Sequence, residues 1–137
     1  FTWLGLTEGH HSLSHKGNED EAGMLQYVAA ERWFAEQFSS LLSRLKSTPD
    51  MEFGGSLFDT TLVVWAQEMG DGRLHDCVSV PFVLTGVPSV LNGGNYTFFD
   101  HAPHQKLLVS ICHAFGLPNM TYGDPSHGTG PLAGIFS

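Results

Sequence analysis

The sequence predicts an α/β fold, a partly parallel sheet flanked by helices, and three observations carry that prediction. Residues 21–47 keep apolar side chains at helical spacing. Residues 60–66 are a short, β-branched, continuously apolar run, as in a strand buried on both faces of a parallel sheet. A second apolar run and a second amphipathic stretch follow, giving the order helix, strand, strand, helix.

Each element has local reasons. Asn18 or Asp20 suits the N-cap of the first long helix, and the acidic residues at 19–21 suit the positive end of its dipole. Tyr27, Phe34, Phe38, Leu41 and Leu45 form its stripe, widened by Met24, Leu25, Val28 and Leu42. Arg44 and Lys46 favour its last turns, and Pro49 ends it. A glycine-containing loop over 51–58 leads into the run Thr60-Thr61-Leu62-Val63-Val64-Trp65-Ala66. That run stops at Gln67-Glu68-Met69-Gly70-Asp71-Gly72, which has turn composition. Residues 80–86 read as a neighbouring strand with Pro81 at its first residue or on an edge. Leu107, Leu108, Ile111 and Phe115 share a helical face that Gly116 caps, and the tail from Tyr122 to Ser137 reads as an extended surface segment. Neither an internal repeat nor a low-complexity tract interrupts this order.

Composition narrows the function. The 137 residues fit a single domain, and 42% hydrophobic with 15% charged residues is globular composition. A net charge of −8 argues against a nucleic-acid-binding surface and a polybasic membrane anchor. No apolar run reaches the ~18 residues of a membrane span. Cys77 and Cys112 make no CxxC site, and whether they pair is left open by the sequence. Two glycosylation sequons, at Asn95 and Asn119, carry no weight without a eukaryotic secretory context. The chain opens on Phe1-Thr2-Trp3 and reads as a fragment or processed part of a longer protein.

Three places carry metal-ligand chemistry. His10, His11 and His15 lie within six residues, bracketed by Gly9 and Gly17, and the glycines favour a loop over a helix. Glu68 follows the first strand, where open α/β sheets bind ligands, with Asp71, His75 and Asp76 close behind. Asp71-Gly72 is also ordinary turn chemistry. His101 and His104 open the second helix, with Asp100 as its candidate cap, and a neutral imidazole near a helix N-terminus stays available to a metal. His113, inside that helix, reads as structural, and His127 has no obvious partner in the sequence.

These residues also resemble a family. Gly9 to Asn18 resembles the signature of the bacterial exported proteins named for an HXXSHH motif, with Lys16 in place of the final histidine. The resemblance continues through FSSLLSRLK at 38–46, TLVVWAQEMGDG at 61–72, PFVLTG at 81–86 and PHQKLLVSICHAFG at 103–116, and it ends in the 122–132 segment. It implies the C-terminal portion of an exported protein, periplasmic or at the cell surface. The strand-then-EMG block is similar to one in alkaline-phosphatase-like and sulfatase-like proteins, implying an alkaline-phosphatase-like C-terminal portion and ester hydrolysis.

The resulting expectation is a metal-binding domain of an exported hydrolase-like protein. Its expected ligands are His11, His15, Glu68 and His75, with His104 next. Zinc suits imidazole with carboxylate, and manganese or calcium would suit a carboxylate-dominated set. Ser14 is a hydroxyl within the cluster and its candidate nucleophile. The competing expectation is a non-catalytic accessory subunit held by other chains of a larger assembly.

Overall fold

A computed structural model describes all 137 residues. It contains four α-helices, α1 (His10–Ser14), α2 (Glu21–Ser47), α3 (Leu57–Thr60) and α4 (Gln105–Ala114), and two strands, β1 (Leu62–Ala66) and β2 (Phe82–Gly86). Short 3-10 turns lie at Thr2–Leu4 and Pro125–His127. The chain divides into two compact units, one of residues 1–58 and 64–83, the other of residues 59–63 and 84–137.

The predicted parallel sheet is corrected. β1 and β2 form a two-stranded antiparallel sheet, and the architecture is not the alkaline-phosphatase-like α/β fold. Parallel neighbours need a crossover, usually a helix, to return the chain to the same end. Residues 67–81 form a turn instead, pinned where Asp71 and Asp76 bridge, and Gln67 N–H donates to the Pro81 carbonyl at 3.3 Å as the second strand begins. Neither face of β1 is covered throughout, for Val64 and Ala66 are exposed while Trp65 is half-buried. The unbroken apolar run therefore has the composition of a doubly buried strand without that environment.

In the first unit, α2 follows its sequence signals. The Asp20 carboxylate accepts the Gly23 N–H at 2.9 Å as N-cap. The Gly23 N–H bond, and then the Lys16 ammonium, hold the Asp20 carboxyl below its ordinary pKa. Ala30 and Gly23 are buried on α2, whereas Leu25 and Val28 from the widened stripe are exposed. The histidine segment is helical rather than a loop. Gly9 caps α1 in an extended conformation, and Leu13 anchors it at 0% exposure. Lys16, the departure from the family motif, pairs with Glu8 at 2.8 Å and Asp20 at 3.3 Å, tying the start of α1 to the cap of α2.

In the second unit, α4 buries Leu107, Val109 and Ser110. Phe115, expected on that face, is exposed because the helix has already ended. Gly116, at φ +76°, closes it: Gly116 N–H donates to the His113 carbonyl and Leu117 N–H to the Cys112 carbonyl, a paired C-terminal cap. The buried Ser110 hydroxyl accepts the Leu132 N–H at 2.8 Å, which draws the tail onto α4. The tail also bridges Leu91 with Phe136, so it is more than a loose surface segment. His113 is structural, its Nε2 lying 2.7 Å from the Asn119 carbonyl. Both cysteines are free thiols.

Candidate metal centre and an adjoining aromatic pocket

Two clusters lie in the first unit, and α1 contributes to both. His11 is on α1 and His15 is its C-cap, four positions on, so their rings fall on one side. The ring centroids are 4.7 Å apart, edge to face. His15 meets His75 in the same manner at 5.0 Å. Sequence spacing far apart in the chain thus becomes a row of three imidazoles with His15 in the middle.

The turn after β1 delivers His75. Gly70 N–H donates to the Asp76 carbonyl at 2.8 Å, and Asp76 N–H to the Asp71 carbonyl at 3.0 Å. His75 closes this four-residue loop at φ +53°, a left-handed conformation uncommon for a residue with a Cβ, though less so for histidine. Such conformations cost of order 1–3 kcal/mol and persist where the surroundings enforce them. Gly72 runs close to α1; a Cβ there would stand 3.2 Å from the Ser14 Cβ. The Ser14 hydroxyl donates to the His11 carbonyl at 2.8 Å.

Asp71 stabilises the turn. Its carboxylate takes the Arg73 guanidinium at 2.7 and 3.2 Å and the Arg73 N–H at 2.9 Å. The side-chain bonds from Arg73, then its backbone N–H, lower the Asp71 carboxyl to about 2. The folded value lies below the unfolded one, so this contribution is complete above the ordinary carboxylate range and is lost as pH falls through about 2. In Arg73→Gln, NMR titration of the Asp71 carboxyl is expected to move its pKa up toward the ordinary value of about 3.9.

The other expected ligands are placed differently. Glu68 is exposed and forms no ion pair with the three histidines. His104 belongs to the second unit, where it is the N-cap of α4 without a side-chain capping bond. His101 lies 3.4 Å from Asp100, both largely exposed. No set of three or more His, Cys, Asp or Glu side chains is closed around a single point. The imidazole row is a set of exposed donors, meeting edge to face, that would have to turn toward a common ion.

The second cluster was not legible as a site. His10 Nε2 lies 2.6 Å from Glu31 Oε1, and Gln67 Nε2 donates to Glu31 Oε2 at 3.4 Å. These three, with Phe34 and Trp65, line a pocket of about 160 Å³. The carboxylate places the His10 proton on Nε2 in the neutral ring. Phe1, Tyr27 and Phe34 surround that ring at centroid distances of 6.1, 5.5 and 5.7 Å. Burial, and then the Glu31 charge, raise the Tyr27 phenol above its ordinary pKa. A signal for Glu31 does exist in the sequence: it interrupts the apolar stripe between Tyr27 and Phe34, a carboxylate on the inward face of α2. Trp65 and Gln67 are two apart at the end of β1 and so project to one side.

No protein-family model, no curated protein and no solved structure matches this chain.

Proposed function

We propose that this chain is the metal-binding part of an exported hydrolase-like protein, with zinc held by His11, His15 and His75. The observation that supports the reading is the row of three imidazoles at 4.7 and 5.0 Å, drawn from α1 and from the strained turn after β1. Neutral imidazole is a zinc donor, and three protein ligands with an open fourth position make the donor set of catalytic zinc. All three side chains are exposed, so rotation toward a shared ion meets little resistance. Glu68, exposed in the same unit, is the carboxylate that would accompany them. Bound zinc would supply a water acidified to a pKa of about 7, the nucleophile needed for a phosphate or sulfate ester.

The test is a zinc titration against a chromophoric chelator, with His15→Ala, His75→Ala and Glu68→Ala variants. One equivalent is expected to bind, and loss of the central His15 or of His75 is expected to weaken it at least tenfold. Unchanged affinity in both histidine variants overturns the reading. Hydrolysis of aryl phosphate and aryl sulfate by the zinc-loaded protein then tests the activity.

The accessory-subunit reading has one observation in its favour. α2 leaves Leu25 at 63% and Val28 at 56% exposed, three positions apart on one side of the helix, an apolar patch that another chain of a larger assembly would cover. Native mass spectrometry separates the readings: a stable, metal-free complex with other chains supports this one, and a zinc-loaded monomer supports the first.

A further inference from the structure

We infer that the pocket between α1, α2 and the end of β1 is a binding site for a compact organic cation of the quaternary ammonium class. Its five lining residues are His10, Glu31, Phe34, Trp65 and Gln67, and all belong to the first unit. Glu31 is the one carboxylate among them, and neither lysine nor arginine lines the pocket. Its Oε1 is taken by His10 at 2.6 Å, whereas Oε2 has only the long 3.4 Å bond from Gln67 and keeps most of its capacity to attract a positive group.

The walls are aromatic. Phe34 and Trp65 line the space, and aromatic rings attract cations through their quadrupoles, tryptophan most strongly. Trp65 is held in place by Phe38 at 5.2 Å, and Phe34 by Trp33 at 5.1 Å and Phe1 at 5.8 Å, so the walls are braced before a ligand arrives. A primary ammonium demands hydrogen-bond acceptors on all sides to replace its water, and two of the five lining residues, Phe34 and Trp65, supply none. A methylated ammonium carries the charge without that demand, and about 160 Å³ accommodates a trimethylammonium head. The chain's net charge of −8 favours the same sign of ligand at longer range.

This inference is independent of zinc at His11, His15 and His75. The experiment is calorimetric titration of the intact chain with choline chloride and, in parallel, with 3,3-dimethylbutan-1-ol, its uncharged isostere. Choline is expected to bind saturably, at least tenfold more tightly than the alcohol. Glu31→Gln, which keeps the shape of the side chain, is expected to lose at least tenfold of the choline affinity and none of the alcohol's. Phe34→Leu, which keeps an apolar wall without a ring, is expected to weaken choline at least threefold, and it stands in should Glu31→Gln fail to fold. Equal affinity for the two ligands marks a merely apolar pocket and overturns the inference, as does the absence of saturable choline binding or choline affinity unchanged in the folded variants.

Discussion

Leu13→Ala is expected to lower the unfolding free energy by about 2–5 kcal/mol, the range for a large aliphatic side chain removed from a closed site. Leu13 is 0% exposed and is one of the largest fully buried side chains of the chain. The helix it belongs to has five residues, far fewer than the roughly 12–15 at which an isolated helix becomes even marginal in water. α1 therefore exists because Leu13 is packed, and His10, His11 and His15 are positioned because α1 exists. Two readouts should move together: the urea midpoint falls, and affinity at the proposed zinc site falls although none of its proposed ligands has been touched. Ser12→Ala, one residue away and exposed, is expected to stay within about 0.5 kcal/mol. A Leu13→Ala protein with an unshifted midpoint would show that α1 is held by something other than this side chain.

The same residue explains why the histidine segment is helical although its sequence predicts a loop. The flanking glycines suggested a loop, yet Gly9 serves as an extended N-cap, a role glycine fills well, and Gly17 is buried against Glu19. A single leucine among polar residues carries no periodicity, so its burial could be known only from what packs over it. α2 and α4 were legible because their signals are local: Asp20 and Pro49 bound one, and Gly116 with its left-handed φ bounds the other. The sheet was not. Strand direction is decided by the connection, and residues 67–81 turn back through left-handed conformations at His75 and Ser79, uncommon for any residue with a Cβ and only somewhat less so for histidine. His11, His15 and His75 were nameable as donors, and the structure brings their rings together. The His10–Glu31–Gln67 pocket depends on contacts across 21 and 36 positions of sequence, beyond the reach of spacing.

Gly70→Ala is the complementary experiment, acting on the other half of the imidazole row. A Cβ at residue 70 would stand 1.8 Å from the Val78 carbonyl oxygen and 3.0 Å from its carbon. Those are backbone atoms, so no side-chain rotation relieves the clash, and the turn itself must open. The Gly70 N–H bond to the Asp76 carbonyl is the first casualty, and with it the bridge between Asp71 and Asp76 that holds His75 at φ +53°. Overpacking a closed site costs about 1–3 kcal/mol, and a clash with main chain belongs at or above the top of that range. The local consequence is sharper than the global one: once the turn opens, nothing keeps His75 in the left-handed conformation, and its ring leaves His15. Gly70→Ala should then weaken zinc about as much as His75→Ala. Combining the two should add nearly nothing further to the loss of zinc affinity, the signature of two substitutions that remove one interaction. Gly93→Ala is the control, since a Cβ there meets no atom within 4 Å, and its unfolding free energy should change by no more than about 0.5 kcal/mol. Full additivity between Gly70→Ala and His75→Ala would mean that the turn and the imidazole act separately, and that His75 reaches the ion by a route other than the close approach of Gly70 to Val78.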